Sequence, residues 1–313
     1  MNARAWAELL RLPALFTVPG DALAGAAAMS ARPGRRTLQA IGSSLCLYEA
    51  GMALNDWADR QEDAVERPHR PIPSGRVQPA AALMSACAFT AAGLVLASRA
   101  GRPALAVATP LAATVWAYDL KLKHTPAGPV AMAAARGLDL LLGAAATRPA
   151  PGATRRALPS AALLSAHTLA LTTVSRRETT GGAALPPLAA LVTTGALGFL
   201  LSRELPAGRG AAVTPGLPGI GAAAPRPSRA SRLPFPLGSA LTAAYTAVAA
   251  RPYFHATLNP SPALTQRAVG GGIRATIPLQ AALSARAGAP VTALLTAALA
   301  PLAAKFAKKV SVT

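Results

Sequence analysis

The sequence predicts an all-α membrane protein, a polytopic bundle of about nine transmembrane helices. Three observations predict it. Hydrophobic residues fill 52% of the 313 positions and charged residues only 14%, whereas a soluble domain carries roughly a quarter charged residues. Most of the surface must therefore face something other than water. The apolar residues also gather in blocks near the length of about 20 residues that a helix needs to cross hydrocarbon. Finally, Ala, Leu, Gly and Pro dominate the composition; Gly and Ala let helix backbones approach, and Gly and Pro are commoner in membrane helices than in soluble ones.

In chain order the blocks are 6–29, 38–57, 79–98, 103–118, 128–147, 157–174, 183–202, 235–250, 266–285 and 289–305. The first begins near Trp6 and reads as a full-length span rather than a separate signal peptide. Several later blocks are short or carry Gly and Pro, and 266–285 contains Arg274. Nine spans are expected, or ten, with the uncertainty among the last three. The whole chain reads as a single domain, 1–313. Its longest interruption, 203–234, is rich in Pro, Gly and Arg, has no apolar period and is expected to be a flexible loop.

The formal charge of +19 invites a nucleic-acid reading. Nucleic-acid binders cluster their basic residues on one face or interleave them with stacking aromatics. Here Arg32, Arg35 and Arg36, Arg67, Arg70 and Arg76, Lys121 and Lys123, Arg155 and Arg156, and Lys308 and Lys309 lie between apolar blocks. That is the pattern of loops beside anionic lipid headgroups, so a bilayer and no nucleic acid is the expected partner. With ten spans, Lys and Arg number about 15 on one side and about 14 on the other, which leaves orientation undecided. Cys46 and Cys87 sit in apolar segments as small hydrophobes, and the four histidines show no ligand spacing.

The acidic residues are the most informative. The chain has 12, and five of them (Asp56, Asp59, Glu62, Asp63 and Glu66) fall within one short stretch at the end of the second block. Asp56, Asp59 and Asp63 stand at i, i+3 and i+7, so on a continuous helix they share a face. Like charges on one face repel, and more so near a bilayer. A hard divalent cation offsets that cost, since Mg²⁺ takes carboxylates and completes its octahedron with water and phosphate oxygen. A solvated acidic turn with Arg60 and Arg67 as partners is the plainer alternative. The position at the mouth of a membrane helix favours the metal.

The run from Asn55 to Gly75 also carries a resemblance. Asn55-Asp56-x-x-Asp59-x-x-x-Asp63 is similar to the first aspartate-rich motif of the UbiA superfamily of membrane prenyltransferases, N-D-x-x-D-x-x-x-D. Arg67-Pro68-His69-Arg70-Pro71-Ile72-Pro73-Ser74-Gly75 resembles its R-P-x-R-P-I-P-S-G continuation. Looser matches are Leu12-Pro13 through Gly25 to the first helix, Tyr118-Asp119-x-Lys121-x-Lys123 to the segment after the fourth, and Arg136-Gly137-Leu138-Asp139 with Gly143 to the fifth.

The resemblance implies nine helices around a membrane cavity, with cytoplasmic aspartate-rich loops that hold Mg²⁺ and a polyprenyl diphosphate whose prenyl group passes to an acceptor. It implies metal binding by Asp56, Asp59 and Asp63, and contact of Asn55, Arg67, Arg70, Lys121 and Lys123 with the donor. Arg136 and Asp139, one turn apart in an apolar helix, are either a second pair at that site or a structural ion pair. The cell membrane is the expected location of such a multi-pass chain.

One departure stands out. Where the family carries a second motif, D-x-x-x-D, this chain has Ser175-Arg176-Arg177-Glu178-Thr179-Thr180-Gly181-Gly182. Glu178 is the surviving carboxylate, expected to take part in catalysis, and Arg176 and Arg177 are expected at the diphosphate in place of a second metal. A divergent branch, of which the EboC-like proteins are an example, resembles the chain here and at Asn259-Pro260-Ser261-Pro262, Gly270-Gly271-Gly272 and Pro278-Leu279-Gln280. The altered motif leaves open a non-catalytic lipid-binding or transport component with the same bundle. A small-solute transporter of unrelated fold would show internal repeats, and none is visible.

Overall fold

The computed structural model describes residues 3–148, 152–203 and 237–311. All regular structure among them is helical. In chain order the elements are α1 (Ala3–Leu9), a 3₁₀ segment (Leu12–Thr17), α2 (Pro19–Ala28), α3 (Arg35–Ala58), α4 (Arg60–Glu66), α5 (Pro79–Ala100), α6 (Arg102–Ala117), a π-turn (Tyr118–Leu122), α7 (Gly128–Thr147), α8 (Ala153–Ser175), α9 (Leu185–Ser202), α10 (Leu237–Leu258), α11 (Pro262–Arg286) and α12 (Pro290–Ser311). The expected loop at 203–234 lies, beyond Arg203, outside the described residues.

Nine expected blocks coincide with α3 and α5 to α12. The block at 6–29 does not form one span: it is cut into α1, the 3₁₀ segment and the ten-residue α2. The break has a local cause. Arg11 takes a left-handed φ of 47°, which a continuing right-handed helix excludes for an L-residue, and Pro13 and Pro19 each lack the N–H that a helix interior uses.

Four of the described helices are long and apolar enough to cross a bilayer: Pro79–Ala100, Gly128–Thr147, Thr154–Ser175 and Leu185–Ser202. Exposed Met84, Val192 and Phe199 on these helices suit an outer surface that meets lipid rather than water. α3 and α11 are longer but carry charge, with Glu49 and Asp56 on α3 and Arg267, Arg274 and Arg286 on α11. Glu49 and Asp56 are buried, whereas Arg267 and Arg274 are exposed, and the buried polar groups of α11 are Thr265, Thr276, Gln280 and Ser284.

α3 packs on α5, α10 on α11, and α7 on α2, α6 and α8. The α2–α7 contact is backbone against backbone. A Cβ on Gly25 would stand 2.1 Å from the Leu140 carbonyl oxygen, and one on Gly143 would stand 2.3 Å from Ala22 Cα. Small residues that permit this approach are the usual basis of close helix pairing in membranes. α2 is thereby drawn into the interior, where Asp21 is fully buried. The second half is filled by a core around Leu164, Tyr245, Tyr253, Leu279 and Leu283.

Candidate active site

A cavity of about 220 Å³ lies between α3, α6 and α7. Ser44, Leu47, Tyr48, Gly51, Met52 and Asn55 line it from α3, at the i, i+3, i+4, i+7 spacing of one helical face. Met132, Ala135, Arg136 and Asp139 form the facing stripe of α7, and α6 contributes Leu111 and Val115. Arg11, Asn55, Tyr118 and Asp119 make one polar end; Ser44, Arg136 and Asp139 make the other. The walls between are apolar.

The first polar end adjoins the acidic run. Asp56 and Asp63 are buried and share Arg70, whose Nη1 stands 2.7 Å from Asp63 Oδ2 and 3.5 Å from Asp56 Oδ1. Arg11 Nη2 lies 3.1 Å from Asp56 Oδ1 and donates to Asn55 Oδ1 at 3.4 Å. Arg67 flanks Asp63 at 3.8 Å. Asp59 turns elsewhere. It pairs with Lys123 and stands 3.7 Å from His124 Nε2, and its carboxylate, Glu62 and His124 could together hold a metal ion. The single face expected for the three aspartates is thus split. Asp59 closes α3 and precedes α4 with φ −84° and ψ 2°, outside helical geometry, so the i, i+3, i+7 register does not run through it.

The π-turn brings Asp119 and Lys123 inward and leaves Lys121 exposed. Single π-turns recur at functional sites because the extra residue re-aims side chains. Lys121, expected beside Lys123 at the diphosphate, has no side-chain partner among the described residues. Asn55 Nδ2 donates to Asp119 Oδ1 at 3.0 Å. Burial pushes the Asp119 carboxyl up to about 6, against the opposing pull of the Asn55 bond and of Lys123.

The altered second motif sits on the same side. Arg176 Nη1 donates to the Thr125 carbonyl at 2.5 Å, and Gly182 N–H donates to the Pro260 carbonyl at 2.7 Å. Gly181 there has φ 61°, with no room for a Cβ against that carbonyl. The loop is tied to both the turn that follows the π-turn, at Thr125, and the α10–α11 connection. Burial raises the Glu178 carboxyl, and nearby Arg67 lowers it. Arg177 is exposed.

The inner polar end differs from expectation. Arg136 pairs with Asp21 across helices, Nη1 to Oδ2 at 3.1 Å, and not with Asp139 one turn along its own helix. Gln280 Nε2 donates to Asp21 Oδ1 at 2.6 Å and to the Thr17 carbonyl at 2.7 Å. Asp139 accepts from Ser44. Arg136 and Asp139 therefore sit far from the aspartate run, at the other end of the cavity. Arg11, Ser44 and Asp119, absent from the expected site, line the cavity, and Gln280 stands behind it, bonded to Asp21.

The mouth is nearly neutral as it stands: Asp56, Asp59, Asp63 and Asp119 face Arg11, Arg67, Arg70 and Lys123. A diphosphate arriving there adds negative charge that these cations, already engaged, do not fully offset. Its oxygen-rich carboxylates fit a hard divalent cation such as Mg²⁺.

Comparison with known proteins bears on the same residues. A sequence model of the UbiA prenyltransferase family matches residues 14–180. The chain is 38% identical over 155 residues to the digeranylgeranylglyceryl phosphate synthase of Methanopyrus kandleri, covering 47% of this chain and 55% of that protein. It is 40% identical over 106 residues to the synthase of the same name from Methanothrix thermoacetophila, covering 34% and 40%. A bacteriochlorophyll synthase 33 kDa chain from Rhodobacter capsulatus is 39% identical over 69 residues, covering 22% and 23%. The chain spans about half the length of the synthases it matches. A UbiA homolog from Aeropyrum pernix K1 superposes with a TM-score of 0.62 at 15% identity, over 86% of this chain and 96% of that one. A structure of a digeranylgeranylglyceryl phosphate synthase in membranes gives 0.58 at 16% identity, over 91% and 98%. At that identity the likeness establishes a shared fold. The family match ends at residue 180, so the EboC-like features near the C-terminus lie outside it.

Proposed function

Since the chain belongs to the UbiA prenyltransferase family, we propose that it transfers a prenyl group from a polyprenyl diphosphate to a small-molecule or lipid acceptor within the cell membrane, with Mg²⁺ as cofactor. The observation that supports this best is the buried pair Asp56 and Asp63 next to the Asn55 end of a cavity whose walls between its two polar ends are apolar. A greasy chamber ending in carboxylates and guanidinium groups matches a donor that is hydrocarbon at one end and phosphate at the other.

Asp56 and Asp63 would hold the metal, which when bound would offset the charge of the leaving diphosphate, and Asp59, split from them toward Glu62 and His124, would offer a separate carboxylate. Arg67, Arg70, Arg11 and Lys123 would donate to diphosphate oxygens, Arg as a fork and Lys as a point charge. The bond between prenyl C1 and the diphosphate oxygen breaks, its electron pair leaving with the diphosphate. The acceptor's nucleophile forms the new bond to C1 and gives up a proton. Asn55, bonded to Asp119, would hold the donor at the mouth. The apolar walls keep water from the allylic, cation-like fragment.

Arg176 and Arg177 stand where a second carboxylate motif would, and Arg177, with no side-chain bond among the described residues, is the one free to reach phosphate. A direct test measures diphosphate release from isoprenoid diphosphates by the purified chain in lipid nanodiscs supplied with a membrane lipid extract as the source of acceptor, with Mg²⁺ and with chelator. Release that needs Mg²⁺ and is lost in Asp56→Asn supports the reading. Absence of both release and donor binding would favour the non-catalytic lipid-binding alternative.

A further inference from the structure

We infer that the outer seam of the α10–α11 hairpin binds the phosphate headgroup of an anionic phospholipid. The site is separate from the cavity and stands whether or not the chain transfers prenyl groups. The two helices are joined through residues 259–261 and run antiparallel. A Cβ on Gly271 would stand 2.7 Å from Pro252 Cγ, which fixes their register. At about 1.5 Å per residue, Arg251 and Arg274 then lie about 3 Å apart in height, and His255 and Arg267 about 1.5 Å. All four are exposed. Tyr253, Ala256, Ala268 and Ala275 take the buried faces of the same helices, so the four basic side chains fall together on the outer side of the helix contact.

The chain does not neutralise this charge. Arg251, Arg267 and Arg274 form no ion pair among the described residues, and no acidic residue follows Glu204 in the sequence. Beside them Phe254, Leu258 and Ile273 are exposed apolar side chains that suit lipid rather than water. Arg274 stands at the middle of the 25-residue α11, where an unpaired guanidinium against hydrocarbon is unfavourable. It extends back along the helix, since a Cβ on Gly270 would stand 3.2 Å from its Nη1. That direction leads toward Arg267 and the α10–α11 connection, whose Pro260 carbonyl accepts from Gly182 on the mouth side. Gly270 leaves the surface between the two arginines bare of a side chain. Guanidinium groups bind phosphate oxygens as forks, and basic pockets between membrane helices hold anionic headgroups. A lipid phosphate drawn into the seam supplies the negative charge that the chain lacks there.

The test places the full chain in nanodiscs of equal phosphatidylglycerol and phosphatidylcholine and reads, by native mass spectrometry, which lipid stays with the protein. Wild type should retain phosphatidylglycerol at least fivefold over phosphatidylcholine. Arg267→Gln with Arg274→Gln should lower that ratio at least threefold, with helical content unchanged. Arg155 and Arg156, exposed at the start of α8 on the opposite side of the bundle, give the control, because Arg155→Gln with Arg156→Gln removes the same charge. That control should keep the wild-type ratio. A wild-type ratio near one would overturn the site. Equal losses in the two double variants would overturn it as well, by showing only diffuse attraction to net charge. Retention of a second copy of the chain, lost in the α11 variant, would make the seam a protein interface instead. If the α11 double variant loses helical content, Arg267→Gln alone is read in the same way, and an unchanged ratio there counts against the site.

Discussion

Arg136 reaches across from α7 to Asp21 on α2, its Nη1 3.1 Å from a carboxylate oxygen that has no exposure to solvent. Breaking a buried pair by removing one partner strands the other charge, at a typical cost of about 3–5 kcal/mol. We expect Arg136→Met to lower the thermal stability of the detergent-solubilised protein sharply, and Arg136→Met with Asp21→Leu to recover most of the loss. A double variant no more stable than the single would show that Asp21 finds another cation.

The α2–α7 contact that brings Asp21 inward depends on Gly143. Its Cβ position falls 2.3 to 2.7 Å from Ala22 backbone atoms, which cannot rotate away as a side chain would. Gly143→Ala should therefore push the helices apart and destabilise by about 1–3 kcal/mol or more, as overpacking does. Gly195 faces open space, and Gly195→Ala should be neutral or slightly stabilising by helix propensity. Comparable melting temperatures for the two variants would contradict the close contact.

Asp119 gives a pH dependence of defined sign. Its carboxyl is raised to about 6 by burial, above its ordinary value near 3.9. Ionising it is therefore harder in the folded chain, so the protein is most stable below about pH 4 with respect to this group and loses that stability as pH rises through 6. The loss is at most about 3 kcal/mol. Asp119→Asn should melt higher than wild type by a margin that is greater at pH 7.5 than at pH 4.5. An equal margin at both would mean Asp119 titrates normally.

The two arginines of the altered second motif should behave differently. Arg176 ties its loop to the Thr125 carbonyl, so Arg176→Ala should cost about 1 kcal/mol of stability as well as activity. Arg177 is exposed, and Arg177→Ala should weaken diphosphate binding by about 1.5–3 kcal/mol, the usual worth of a hydrogen bond between charged groups, with stability unchanged. Glu178→Gln should reduce turnover. Diphosphate affinity unaffected by Arg177→Ala would make that residue a lipid anchor.

Much of this was legible in the sequence. Helices α3 and α5 to α12 follow from apolar blocks, and the mouth follows from acids concentrated in a chain that has few. What could not be read were partners set by tertiary approach. Arg136 was visible as an ionisable group in an apolar helix, but Asp21 lies far off in sequence, and only the glycine contact between α2 and α7 brings them together. Arg11 and Asp21 were themselves signals, two of the three charges inside the apolar block 6–29, and Arg11 also marked where that block breaks. The helical register through Asp59 failed for a local reason: one residue outside helical geometry re-aims everything after it. The π-turn separated Lys121 from Lys123 in the same way.

The most direct measurement is Mg²⁺-dependent release of diphosphate from farnesyl diphosphate by wild type, Asp56→Asn and Asp63→Asn, each in nanodiscs with a membrane lipid extract as the source of acceptor and each checked for unchanged helical content. Asp56 and Asp63 are the buried carboxylates that share Arg70 at the cavity mouth. We expect release by wild type only with Mg²⁺, and a fall of at least a hundredfold in both variants. Release at the wild-type rate in either variant, or release indifferent to Mg²⁺, would contradict the assignment of these carboxylates to the metal and the donor.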